Sequence, residues 1–402
     1  MAAKKLMLLG GITYLKPAIE AAHRYGCHVI TADYLPDNIA HRYSDEYVNV
    51  SIIDKEAVLH AAQERQIDGI MSFAVDPGVV AAAYVAEKMG LPFQCSYEAA
   101  CILQDKARFR QFLAANGFNV PMAKGYSRLE EALVDTQLFH WPVIVKPVDS
   151  AGSKGVSRVD APALLPAAIN HALAASPSKR FIIEDYLEKD GRSSGSESFF
   201  VNGQLLYNAF YDQFFDNEAV NPYTPSGECW PSDKSQHHLT EVRSELQRLG
   251  NLLHFGTGLF NVEWRLCTDG RIYLMEVSPR AGGNSLAELL GHATDINLVD
   301  AEVRKAIGLP VEDIHEPHYH GFFAILVLHS ERVGIFERLW IDDDFGHRHV
   351  IARNLSIQSG EEVHSFTGAN TSIGTLFLRF SSRDEMVYMM ENYRQYVKII
   401  LK

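Results

Sequence analysis

The sequence predicts a mixed α/β and α+β chain. It reads as a doubly wound, parallel first unit over residues 1–100, a larger α+β unit over 101–310 and a small α+β unit over 311–402. Three observations predict this. Strand-length apolar runs alternate with helical periodicity through the first hundred residues, and such alternation builds parallel sheets. Beyond them, strand-like runs follow one another with short turn signals such as Thr268-Asp269-Gly270, the mark of antiparallel neighbours. Finally, 402 residues, 47% hydrophobic and 22% charged, supply several packed cores and exclude long disorder.

The elements follow in order. Lys5 to Leu9 is an apolar strand, Gly10-Gly11 a turn, and Leu15 to Tyr25 a helix with Leu15, Ile19 and Ala22 on one face. His28 to Ala32 resumes as a strand ending at Asp33, and Gly69 to Phe73 is a third. Helices at about 55–65 and 79–88 separate these runs, which makes the unit Rossmann-like. Residues 96–116 read as one helix with Gly117 at its C-terminal end and Pro121 beyond. Strands at 143–146, 181–186, 197–201, 259–266 and 271–277 and helices at 162–175 and 239–253 fill the middle. The last ninety residues open with a strand at 321–329 and close with a strand at 371–380 and a helix at 383–397.

Charge and cysteine usage narrow the function. Lys and Arg total 37 against 50 Asp and Glu, a net −13 that repels nucleic acid. The five cysteines are scattered and never spaced as CxxC, which argues against a disulfide framework or a zinc knuckle and for a reducing cytoplasm. No apolar run approaches the roughly 18 residues that span a bilayer. The opening MAAKKLMLLGG lacks the apolar region of a signal peptide, so no secretion and no membrane partner are expected.

Three segments carry chemistry. The run Pro142 to Pro147 holds a single lysine, Lys146, before the Gly/Ser loop 149–155, where Gly152, Ser153 and Gly155 let backbone amides approach an anion. The loop is not a GxxxxGK[ST] phosphate loop. The strand Phe181 to Leu187 ends in Glu184 and Asp185 and is followed by Glu197, placing backbone and carboxylates where a purine and a ribose could be read. Glu263 and Glu276 stand in apolar runs on two strands joined by the Asp269-Gly270 turn. Paired acids in such a setting suit a hard cation such as Mg²⁺, with Arg280 beside it. His315, His318 and His320 miss metalloprotease spacing and flank a proline, so no metal site is expected there. Gly10-Gly11 does not complete GxGxxG, which disfavours a dehydrogenase despite Asp33 at a strand end.

Taken in order, these parts resemble the ATP-grasp superfamily of carboxylate-amine ligases, in its amino-acid ligase and carbamoyl-phosphate synthase large-subunit branch. The carriers are the Rossmann-like first unit, Lys106 in Gln-Asp-Lys-Ala-Arg-Phe, Lys146 before its Gly-rich loop, Glu184 to Leu187, Glu197, Glu263 and the Glu276-Val-Ser-Pro-Arg280-Ala-Gly-Gly block. The resemblance implies that Lys106 and Lys146 contact ATP phosphates, Glu184, Asp185 and Leu187 the adenine, and Glu197 the ribose. It also implies that Glu263, Glu276 and Ser278 hold Mg²⁺, with Mn²⁺ as the alternative ion, and that Arg280 faces the γ-phosphate and an acyl phosphate. Where the family usually has Asn, this chain has Ser278. The implied activity joins a small-molecule carboxylate to an amine; the cytoplasm follows from the cysteine usage, and a homodimer is the common default among oligomers. The segment from Asn221 to Pro231 is similar to the substrate-facing segment of amino-acid ligases. The alternatives are a purine-pathway carboxylase or formate-activating enzyme and, outside catalysis, an ATP-binding protein without turnover.

Overall fold

The computed structural model describes residues 3–402. The first unit is a four-stranded parallel sheet in the spatial order Glu46–Asn49, His28–Asp33, Lys5–Leu9, Gly69–Met71. Its strands are apolar along nearly their whole length because helices cover both faces of a parallel sheet. Lys16–Arg24, Lys55–Arg65 and Val79–Met89 supply that cover. The short strand Glu46–Asn49, half polar, is the one element here with no apolar run to announce it.

The helix expected over 96–116 is two helices, Tyr97–Gln104 and Lys106–Ala115. Asp105 adopts an extended conformation between them, and its carboxylate accepts the Ala107 and Arg108 amides, capping the second helix. That break sets Lys106 at a helix start. Gly117 follows the second helix at φ +72°, as its place after the last helical turn requires.

A small antiparallel sheet comes next, in the order Ala123–Tyr126, Phe181–Asp185, Val143–Pro147, Ser157–Val159, backed by the helix Leu165–Ala175. Val143, Val145, Ile169, Phe181 and Ile183 form its own core. Then an eight-stranded antiparallel sheet runs Ile272–Ser278, Gly258–Leu266, Ser194–Val201, Gln204–Phe215, Pro225–Trp230, Phe322–Leu328, Gly374–Phe380, Val350–Leu355. It crosses residue 311, so strands expected in the last unit extend the sheet of the middle one. The twelve-residue strand Gln204–Phe215 escapes an apolar-run reading, although the turn Asn202-Gly203, both at positive φ, marks its start. The segment from Asn221 to Pro231, expected as a substrate-facing stretch, is mostly the strand Pro225–Trp230 in mid-sheet.

The final helix also ends earlier than expected. Arg383–Glu391 is helical, whereas Val397–Leu401, rich in Val and Ile, pairs with Gly334–Ile341. All five cysteines are free, and among the described residues no helix is long and apolar enough to cross a membrane.

Candidate active site

The register of the large sheet decides which side chains meet. Glu263 pairs directly with Glu276 across the hairpin turned by Asp269-Gly270, Gly195 pairs with Glu263, and Tyr211 with Gly195. Side chains of laterally paired residues share a face. Glu276, Glu263 and Tyr211 therefore share one face with Ser278, Asn261, Glu197 and, two residues further along the neighbouring strand pair, Gln213 and Glu228. The opposite face packs Phe200, Phe210, Phe260 and Trp264 over the helix Gln236–Leu252. One sheet face is core and the other is chemistry.

Three cations stand over that polar face. Lys106 reaches Glu276 Oε2 at 3.2 Å and donates to Ser150 O of the Gly-rich loop at 2.9 Å. Burial works to lower its pKa, but Glu276, Asp76 and Glu263 together raise it. The second cation, Lys146, is 9% exposed and pairs with Glu184 Oε1. Burial pulls Lys146 down to about 8 against the pull of Glu184, with Arg110 pushing the same way as burial. Glu184 also accepts from Arg110 Nε at 3.0 Å. Burial favours the neutral acid at Glu184, yet Arg110 and Lys146 outweigh it and hold the carboxyl at about 2. Both oxygens of Glu184 are thus committed to cations. It is the counter-ion of the buried Lys146. Arg110, which the sequence reading missed, also donates to Met275 O at 2.9 Å and keeps its second terminal nitrogen buried without a partner.

The third cation is Arg280. Its Nε and one terminal nitrogen donate to the two oxygens of Asp76, at 2.8 and 2.6 Å, and the other terminal nitrogen donates to Ala281 O. Asp76 sits in the Asp-Pro-Gly turn after the last strand of the parallel sheet, the end of such a sheet where ligands bind. Burial opposes its charge, but Arg280 and the Ser278 hydroxyl hold its pKa below the usual range. Ser278 donates to Asp76 Oδ1 at 2.7 Å, accepts from Gln104 Nε2 at 2.6 Å, and has no exposed surface. Ser278, implied as a metal ligand, stands beside Glu276 on the same strand with its hydroxyl engaged by Asp76 and Gln104. Its hydroxyl is held between two protein partners, and the shorter side chain leaves room for Asp76.

Glu197, implied at the ribose, is engaged by protein partners as well. It is fully buried and accepts from Gly282 N and Asn261 Nδ2. Burial pushes its carboxyl up to about 8. A Cβ at Gly282 would lie 2.6 Å from Glu197 Oε1, which is why glycine stands there. Glu197 holds the turn after Arg280. Glu197→Ala is therefore expected to destabilise the fold by about 1–3 kcal/mol, the cost of orphaning buried donors, as read by denaturant unfolding.

The remaining expected residues line the approach. In loop 149–155, Gly152, Ser153 and Gly155 all take positive φ. Ser153 Oγ donates to Tyr223 O at 2.8 Å, and Asn221 Nδ2 donates to Ser153 O at 3.1 Å. Asp185 receives the His140 amide and ring nitrogen, and its own amide donates to Met122 O. Leu187 lies just past the strand end. Beneath the loop, a cavity of about 330 Å³ is lined by Asp76, Gln104, Lys106, Ser150, Ala151 and Glu276, among others.

The site has the parts that ATP and Mg²⁺ require. Glu263 and Glu276 pair directly across the hairpin on one face, desolvation by neighbouring groups and the like charge of Glu276 raise the pKa of the surface-accessible Glu263, and one terminal nitrogen of Arg110 is buried without a partner. Elsewhere, Asp216, His329 and Glu331 approach one another, but Arg394 pairs with Asp216 and completes a charge network. His320 of the histidine segment pairs with Asp295 at 3.0 Å.

Residues 139–288 match the ATP-grasp domain model. The formate-dependent phosphoribosylglycinamide formyltransferase of Synechococcus sp. (strain WH7803) is 30% identical over 314 residues, 77% of this chain and 78% of that protein. An L-amino acid ligase from Bacillus licheniformis superposes with a TM-score of 0.81 at 20% identity over 99% of both chains. A phosphoribosylglycinamide synthetase from Anaerococcus prevotii does so with 0.74 at 19% identity over 100% of both. With the opposed acids, the buried lysines and the Gly-rich loop set in this order on this fold, the chain belongs to the ATP-grasp family of carboxylate-amine ligases, which use ATP and release ADP and phosphate.

Proposed function

We propose that the protein activates a small carboxylate as an acyl phosphate and passes the acyl group to an amine. A carboxylate oxygen attacks the γ-phosphorus of ATP and ADP leaves. The amine then attacks the carbonyl carbon and expels phosphate, a far better leaving group than hydroxide. The observation that carries this reading is the Glu263–Glu276 pair, with Lys106, Lys146 and Arg280 converging on the same face. Glu263 and Glu276 would hold Mg²⁺, which supplies charge neutralisation at the phosphates. Lys106 and Lys146 bind phosphate oxygens, Arg280 meets the charge that develops at the transferred group, and loop 149–155 shields the acyl phosphate from water. We place the enzyme in the cytoplasm as a homodimer, organised as units 1–100, 101–310 and 311–402.

The test is ADP and phosphate release from Mg-ATP across a panel of carboxylates and amines, with the product identified by mass. Release that requires both a carboxylate and an amine supports the reading, and ATP binding without turnover across the panel contradicts it. The 30% identical relative makes formate the first carboxylate to try.

A pH dependence follows from Lys146. Its ammonium, required for phosphate contact, is lost as pH rises through about 8. The kcat/KM for ATP, which reports the free enzyme, is expected to fall above that pH with a slope of about one proton. A profile flat from pH 7 to 9.5 contradicts the assignment.

A further inference from the structure

On the chemical face of the large sheet, one acid is not used by the phosphate and metal machinery. Glu228, on the strand Pro225–Trp230, is 3% exposed and shares the face of Glu263 and Glu276 through the Gln213–Glu228 pairing. Its Oε1 accepts from Asn284 Nδ2 at 3.1 Å, while its Oε2 is buried with no partner. An orphaned carboxylate oxygen is expensive in a protein interior and calls for a donor.

The surroundings are built from all parts of the chain. Tyr14, at the first turn after the opening strand, donates to Asn284 Oδ1 at 3.3 Å, so Tyr14, Asn284 and Glu228 form one relay. Ser372 from the last unit also reaches Tyr14. Asn284 and Ser285 both hold positive φ, +54° and +63°, a backbone that non-glycine residues seldom adopt. From that backbone the Asn284 amide donates to Glu228. Beside it, a Cβ at Gly283 would come into ordinary van der Waals contact with Tyr14, at 3.9 Å. Burial, against the Asn284 hydrogen bond, pushes the Glu228 carboxyl up to about 7, where proton exchange with an amine is facile.

We propose that Glu228 is the acceptor-side catalytic carboxylate: it binds the nucleophile as an ammonium ion, through the unpartnered Oε2, and takes a proton from it before attack. The substrate class is thereby a cationic primary amine. The proposal rests on the ligase reading above. The protons balance. R–NH₃⁺ passes one to Glu228, giving R–NH₂; its nitrogen attacks the acyl phosphate carbonyl; the C–N bond forms as the C–O(P) bond breaks; and the second proton leaves with the phosphate. The carboxyl then returns its proton to solvent. Without that base, the acyl phosphate waits and water takes it, so ADP is released without amide.

The experiment measures amide formed per ADP released by wild type and E228Q. The carboxylates are formate, acetate and the common L-amino acids, and the amines are ammonium, methylamine and L-amino acids, with hydroxylamine, largely neutral at pH 7.5, as the base-independent nucleophile. The expected result is an amide-to-ADP ratio at least ~10-fold lower in E228Q for the cationic amines, with a raised KM for the amine and hydroxamate formation retained. Because a ratio is read, partial misfolding does not mimic it, and E228D is expected to recover part of the coupling. An E228Q variant that couples cationic amines as wild type does, or that loses hydroxamate in the same proportion, overturns the role of Glu228 and leaves the ligase reading intact. Wild type that releases no ADP with any pair sinks both.

Discussion

Glu276→Ala is expected to lower Mg²⁺-dependent ADP formation at least ~100-fold, because it removes charge stabilisation aimed at the transferring phosphoryl group. Two physical losses add. The variant leaves Glu263 as a lone acid opposite an empty position, which weakens the hold on a divalent cation. It also strips Lys106 of the carboxylate 3.2 Å away that balances its buried charge. Glu276→Gln keeps the shape and loses the charge, so it separates the two. If charge is what matters, Gln is nearly as defective as Ala, and its residual activity needs more Mg²⁺. Near-normal turnover by purified, folded Glu276→Ala would remove the metal assignment.

The second large effect belongs to a residue that does not touch ATP in this account. Asp76→Ala is expected to cost about 100-fold in kcat with little change in the KM for ATP, since small misplacements of a charge-stabilising group are penalised on that scale. Asp76 fixes the plane of the Arg280 guanidinium with two hydrogen bonds and holds Ser278 with a third. It is a positioning residue, and a double-mutant cycle shows it as such. In an Arg280→Ala background, removing Asp76 should cost no more than roughly threefold further, because the partner it acts through is gone. Independent, multiplicative losses would mean that Asp76 contacts the substrate itself. A general loss of folding would instead lower the amount of active enzyme equally in every assay, with the KM values and Mg²⁺ dependence unchanged.

Much of this site is legible in the sequence because its signals are local. The Asp269-Gly270 turn forces antiparallel neighbours, and the alternation along each strand then places Glu263 against Glu276. A lysine closing an apolar run before a Gly/Ser loop is likewise a local pattern. What the sequence does not show are partnerships across the chain. Asp76 and Arg280 stand 204 positions apart, and nothing near Asp76 but its place after a parallel strand marks it. Arg110 looks like one more helix-surface arginine until its partner Glu184 is known to be buried. Those hidden partners also engage three of the expected site residues. Glu184 is consumed by Lys146 and Arg110, Ser278 by Asp76 and Gln104, and Glu197 by Gly282 and Asn261. The fold errors have the same origin. A capping Asp105 inside a continuous helical pattern, and a polar-flecked strand such as Gln204–Phe215, are settled by tertiary pairing that propensity does not carry.

The central claim is that the carboxylate substrate itself attacks phosphorus. With a carboxylate labelled with ¹⁸O in both oxygens, Mg-ATP and the amine that completes turnover, the account predicts one labelled oxygen in each phosphate released, because the oxygen that attacks phosphorus leaves with it. Phosphate free of label, at the same rate of amide formation, would show that the acyl group is never carried on phosphate and would contradict the account.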